Sequence, residues 1–263
     1  MKHVNEFIIW ALAHAKSAPK GALLIAPINI EPWEYLYGTT GRVCTQALLD
    51  EKYNKYYSKW DWTRAEYDKA TAGWAERKQM VCDCQGLEDC YSKSDTNAKG
   101  NFAKYCSIEN RGRTSEINRP YVIGEAVFKG KTEKDINHVG FICGFMEDGR
   151  ACVVEEKGLS YGCVVTILEA DKNWKYRGLM DLRYAYETAP IPIPDPTEAF
   201  RAVTSGDVRL RAGRSSESAK IITMKKGTPV LALPEVDGWC DVAVYDEGRL
   251  YNGYASAKYI KEV

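Results

Sequence analysis

The run Ala189-Pro190-Ile191-Pro192-Ile193-Pro194-Asp195-Pro196 places a proline at every second position. Each ring fixes φ and removes an amide donor, so the run can neither enter a helix nor sit inside a sheet; it makes an extended, semi-rigid spacer. The chain is therefore expected to divide into a unit of residues 1–188, a linker of residues 189–198 and a smaller unit of residues 199–263. A length of 263 residues suits one medium and one small domain.

The two sides of the spacer differ in period. Near the start, Val4, Ile8, Leu12 and Ala15 share one helical face, and the apolar run Phe7–Ala13 reads as a helix, not an export leader, because Asn5 and Glu6 interrupt its start. Residues 45–80 read as an inserted helical segment with Asp61 and Thr63 as possible starts, a helix is expected from Cys82 to about Cys90, and Ser92–Gly112 reads as a polar loop. Then the pattern turns to strands: Ala126-Val127-Phe128, His138–Cys143, Ala151–Val154 and Gly162–Leu168, the middle two joined by a turn at Glu147–Arg150. Helices followed by consecutive hairpin strands give an α+β fold, not an alternating one. Beyond the spacer, turns at Gly206, Gly213, Gly227, Gly238 and Gly248 separate short strands, as in a small all-β barrel.

Charge excludes some partners. The 36 Lys and Arg balance 36 Asp and Glu, so no whole-molecule field draws the chain to nucleic acid or an acidic membrane. No apolar run approaches the ~18 residues of a membrane span. The nine cysteines lack the spacing of a secreted disulfide scaffold, and reduced thiols in a protein made in a cytosol are expected. Cys82, Cys84, Cys90 and Cys106 have Cys-x-Cys spacing without a nearby histidine, which is a poor zinc pattern. No metal or other cofactor is expected.

One pairing carries chemistry. Cys84 falls at the expected start of a helix, where backbone amides favour thiolate. Of the three histidines, His3 and His14 lie in the first helix, whereas His138 opens an apolar strand beside Gly140. A cysteine at a helix start and a histidine on a later strand can form a thiol–imidazole pair, the imidazole taking the thiol proton.

Four segments in order then resemble the NlpC/P60 family of papain-like cysteine peptidases. Asp83-Cys84-Gln85-Gly86-Leu87 is similar to its Asp-Cys-Ser-Gly-Leu motif, and His138-Val139-Gly140-Phe141-Ile142-Cys143-Gly144 to its His-Val-Gly strand. Tyr35-Leu36-Tyr37-Gly38 resembles the family's Tyr-x-Trp-Gly segment, and Gly124–Phe128 its Gly-Asp-Leu-Val-Phe strand. The resemblance implies a papain-like domain, with N-terminal helices packed on an antiparallel sheet, that cleaves peptidoglycan stem peptides, commonly between γ-D-glutamyl and a diamino acid. It makes Cys84 the nucleophile, its thiol lowered from roughly 8.5 by His138 and the helix, and His138 the general base and later acid. It implies a polar residue behind the imidazole within Val153–Gly158. Tight pairing about Asp148-Gly149 selects Glu155, on the His138 face; a bulge would exchange it for Glu156. Tyr35, Asp83 and Gln85 are the expected substrate contacts, Tyr35 and the Cys84 amide meeting the oxyanion. Gln85 stands where the family has serine, Glu155 where it commonly has histidine, and the segment between Tyr37 and Cys84 is long.

Val208-Arg209-Leu210-Arg211-Ala212-Gly213, Met224–Val230, Asp237-Gly238-Trp239 and Gly253-Tyr254-Ala255 resemble bacterial SH3 domains. That resemblance implies binding to cell-wall polymer or peptide, with Arg209, Arg211, Arg214, Lys220, Lys225 and Lys226 as a basic stretch. Three functions remain open: a stem-peptide endopeptidase encoded by a phage or mobile element and acting at the bacterial wall, an inactive wall-binding protein, and a related papain-like amidase or acyltransferase.

Overall fold

The computed structural model describes residues 1–186, 200–211, 213–218, 220–246 and 249–263. The proline spacer expected at residues 189–198 lies outside the described residues. The first helix, α1 (Val4–Ala13), buries Val4, Phe7, Ile8, Ala11 and Leu12, a stripe at helical spacing. The apolar run near the start is thus part of the core, and no described helix is long and apolar enough to cross a membrane.

Strands β1 (Ala22–Leu24), β2 (Glu34–Tyr35) and β3 (Arg42–Val43) precede the helical insert, which contains α2 (Gln46–Lys55) and α3 (Arg64–Ala70). Thr63 caps α3 through a reciprocal capping box with Glu66, whereas Asp61 has φ +59 in the preceding turn and starts nothing. The insert closes over an apolar cluster in which its Leu48, Leu49, Tyr57, Tyr67 and Trp74 meet Leu36.

The helix expected from Cys82 begins later. Met80–Cys82 is a strand, β4, which pairs with β2 in parallel and β3 antiparallel, and α4 runs from Gly86 to Ser92. The segment read as a polar loop holds a further helix, α5 (Ala98–Lys104), capped by Asn97.

The central sheet contains β5 (Arg111–Arg113), β6 (Ala126–Lys129), β7 (His138–Met146), β8 (Ala151–Glu156), β9 (Cys163–Ile167) and β10 (Trp174–Gly178). Their order is β5-β10-β6-β7-β8-β9, with β1 also paired to β7, and all the pairs are antiparallel. Phe7 of α1 meets Phe141 of β7 edge to face with ring centroids 4.8 Å apart, and Phe102 of α5 meets Phe128 of β6 at 5.2 Å. Helices on an antiparallel sheet make the α+β unit expected.

The remaining strands, β11 (Phe200–Thr204), β12 (Val208–Arg211), β13 (Lys220–Met224), β14 (Pro229–Ala232), β15 (Trp239–Asp246), β16 (Arg249–Ser256) and β17 (Ile260–Glu262), form a second antiparallel sheet. Val208, Leu210, Met224, Val230 and Val242 alternate inward to make its core. The basic stretch expected here is partly neutralised, because Arg214 pairs with Asp241 at 3.2 Å and Lys225 with Asp207 at 2.8 Å. Arg211 is also spent internally, donating to the Ser218 carbonyl at 2.6 Å.

Candidate active site

Cys84 sits in the turn between β4 and α4, and three hydrogen bonds of Asp83 fix that turn. Asp83 accepts from the Gly38 and Gly86 amides at 2.9 and 2.7 Å, while its own amide donates to the Thr39 carbonyl at 2.9 Å. Gly86 lies so close to that carbonyl that an added Cβ would stand 2.2 Å from the Thr39 oxygen. The Asp-Cys-x-Gly order therefore has a local cause: the aspartate ties two loops and the glycine lets them approach.

The Cys84 thiol is directed at the start of β7, with Sγ 4.0 Å from the Asn137 carbonyl oxygen. Burial first, then the neighbouring Asp83 charge, push this thiol up to about 12 against the opposing amides of Val139, Gln85 and Cys84. The expected lowering by a helix start is not found, since α4 begins two residues later and desolvation dominates.

His138 and Glu155 meet through a 2.7 Å contact between Nε2 and Oε2. The route to this pairing differs from the tight turn expected. Met146 and Arg150 pair around a three-residue loop, Gly149 having φ +84, which by register alone would put Glu156 on the His138 face. A bulge between Ile142 and Gly144 then shifts β7 against β8 by one residue, so that Phe141 pairs with Val154 and Glu155 returns to that face. Gly140 makes room for it, because a Cβ there would lie 2.4 Å from Val153 and 3.3 Å from the Glu155 Cβ.

Glu155 is held by two more side chains. Thr166 donates to Oε1 at 2.6 Å, and Lys129 lies 3.7 Å from Oε2 while also pairing with Asp171 at 2.8 Å. Burial opposes the Glu155 charge, but the hydrogen bond and charge of His138, the Lys129 cation and Thr166 outweigh it and hold the carboxyl below its usual range. An ionised Glu155 accepts the Nε2 proton and leaves the Nδ1 lone pair to act as a base. Trp174 tilts against the imidazole at 5.5 Å and carries the Lys129 ammonium over its ring at 4.2 Å. Lys129, Thr166 and Trp174 escape sequence reading; only the register pairing of Lys129 with His138 could have pointed to the first.

Glu156 faces the opposite side, fully buried against Cys82, whose Sγ is 3.2 Å from Oε1. Burial, the largest cause, raises its carboxyl well above the usual range. Between the unfolded and folded pKa values the folded chain holds a proton that the unfolded chain releases, so this group lowers stability as pH rises above ~4.3. Relative to Glu156→Gln, wild type is expected to lose about 1.4 kcal/mol of stability per pH unit in that window. Denaturant unfolding of both proteins at pH 5 and pH 7 measures it; parallel pH dependences would exclude a protonated Glu156.

The substrate contacts expected on the motif divide. Tyr35 lies close enough to Cys84 and Asp83 for their charges to add to burial, its largest cause, in raising the phenol, which stays a donor. Asp83 is occupied by the Gly38 and Gly86 amides and, with burial foremost, its carboxyl is raised. Gln85 is buried, with Nε2 3.0 Å from both Glu88 and Asp89 and Oε1 accepting from Asn101 at 3.0 Å. Its extra length ties α4 to α5. Among the described residues, no group of three or more His, Cys, Asp or Glu side chains is placed to hold a metal ion, and the cysteines form no disulfide.

Residues 206–261 match the bacterial SH3 domain family. No match was found among curated proteins. Of solved structures, NlpC2 from Trichomonas vaginalis is similar over 59% of this chain and 48% of its own, at 13% identity and a TM-score of 0.22, so the match spans about half of NlpC2. Two structures of Ly7917, one of them with the hydrolyzing product of MDP, are similar over 66% of this chain and 82% and 83% of theirs, at 14% identity and a TM-score of 0.24.

Proposed function

We propose that the chain is a peptidoglycan hydrolase that cuts stem peptides by a cysteine–histidine mechanism, with the γ-D-glutamyl–diamino acid amide as the bond broken. The observation that carries the reading is the His138–Glu155 contact of 2.7 Å on the strand whose start receives the Cys84 thiol. The four motif segments supply the substrate class, and the bacterial SH3 domain at residues 206–261 supports attachment to the wall.

The reaction starts from a thiol, not a preformed ion pair. His138 Nδ1 takes the Cys84 proton as sulfur attacks the carbonyl carbon, and Glu155 stabilises the imidazolium that forms. The oxyanion is met by the Cys84 amide and the Tyr35 hydroxyl. His138 returns its proton to the leaving amine, and water, deprotonated by the same imidazole, hydrolyses the thioester.

Dye-labelled peptidoglycan incubated with wild type and Cys84→Ala tests the reading. Wild type is expected to release soluble fragments whose mass spectra show new termini within the stem peptide, and Cys84→Ala to release none above background. Equal release by both proteins would remove Cys84 from the chemistry, and an absence of release by wild type would leave a wall-binding protein. Cuts outside the stem would move the chain to the amidase class.

A further inference from the structure

A cavity of about 490 Å³ adjoins this site, lined by Arg113, Lys129, Lys131, Asn137, Asn173 and Lys175. Two lining residues join it to the chemistry. The Asn137 carbonyl is the group 4.0 Å from Cys84 Sγ, and Lys129 is the register partner of His138 across β6 and β7.

Four cations and no carboxylate line the cavity. Their commitments differ. Lys129 is engaged by Asp171 at 2.8 Å and Glu155 at 3.7 Å, and Arg113 is 3.9 Å from Glu116. Among the described residues, neither Lys131 nor Lys175 has a carboxylate within ion-pair distance. Lys175 reaches the lining through a local irregularity: the register of β10 against β6 shifts between Trp174 and Tyr176, leaving Lys175 as the extra residue of a bulge. Such bulges re-aim a side chain beside an active site. In a chain of zero net charge, a concave wall with cations on several elements concentrates positive potential beside the thiol.

We propose that this groove is an anion subsite, in which Lys131 and Lys175 bind a free carboxylate of the stem peptide next to the scissile amide. The inference rests on the stem-peptide reading above and deepens it: the chain selects stems with ionised carboxylates over stems in which the same groups are carboxamides. Lys129 is not the selecting cation, because Asp171 and Glu155 already hold it.

The test uses two synthetic stem tripeptides, identical except that the carboxyl groups flanking the scissile amide are free in one and amidated in the other. Wild type is expected to favour the free acid in kcat/KM on the order of tenfold, two exposed ion pairs being worth that much together. In Lys131→Gln/Lys175→Gln the ratio should fall toward one, chiefly through KM, and added salt should erode the wild-type preference. Hydrolysis with the same ratio in both proteins would overturn the subsite and leave the hydrolase reading intact. Binding of both peptides to Cys84→Ala, measured by calorimetry with and without the two lysine substitutions, separates the other failure. Selective, lysine-dependent binding without turnover by wild type would keep the subsite and remove the hydrolase; binding that ignores the carboxylates would overturn the subsite.

Discussion

Replacing Glu155 by Gln is expected to lower kcat/KM on stem peptides by on the order of 10²- to 10⁴-fold, with the melting temperature changed by only a few degrees. The amide is nearly isosteric with the carboxyl, and both of its possible orientations harm the base. With its nitrogen toward His138 it donates to Nε2, forces the ring proton onto Nδ1 and removes the lone pair that must take the Cys84 proton. With its oxygen toward His138 the tautomer survives, but the charge that stabilises imidazolium is gone. Lys129 keeps its other partner in either case, Asp171 at 2.8 Å. Glu156→Gln is the matched control, differing by one position and lying behind the sheet against Cys82; its kcat/KM should stay within a fewfold of wild type. Steady-state rates for the two variants decide the matter, and equal losses would show that the chemistry does not depend on which face the carboxyl occupies. The resting Cys84 thiol makes the effect large. On the proposed mechanism, a cysteine raised by burial and Asp83 depends on His138 to take its proton in turnover.

The Glu155 assignment also marks how far sequence reading reaches. It chose Glu155 from a tight turn at Asp148-Gly149, whereas the loop is one residue out of step with that turn and the bulge near Cys143 restores the parity. Two offsets cancelled, and neither is visible in a pattern of period two. Helix α1 was legible because its buried residues repeat at helical spacing, and the strands β6 to β9 because they are short apolar runs, buried at nearly every residue and bounded by turn residues. Helix α5 was not, because only Ala98, Asn101 and Phe102 of its seven residues are buried and one of these is polar. Strand β10 was hidden for a related reason: Arg177 reads as a surface residue yet is buried through its partner Glu125. The environment of Cys84 was misread because the order of residues gives position along a helix but not depth. The partners of Gln85, Asn101 and Glu88, were not legible either, being brought to it by packing.

Loss of the Glu125 carboxylate is expected to be the most destabilising single change in the central sheet, at about 3–5 kcal/mol for Glu125→Ala. Glu125 is wholly buried and accepts from Arg177 Nε and an Nη at 2.6 Å each and from Arg119 at 2.8 and 2.9 Å. Removing it leaves the nearly inaccessible Arg177 guanidinium without its counter-charge, and desolvating an unpaired cation costs more than the pair contributes. Arg177 still has the Arg119 and Pro120 carbonyls at 3.0 and 2.9 Å, which keeps the penalty finite. The pair also joins the Arg119–Glu125 loop to β10, beside β6, whose last residue is Lys129, so its loss should reduce activity along with stability. Urea unfolding measures the first term. A companion Glu125→Leu/Arg177→Met protein separates the two causes, since it removes the charge and its orphan together. It is expected to recover much of the stability lost in Glu125→Ala, and a double variant as unstable as the single one would place the cost in lost packing instead of in an unpaired charge.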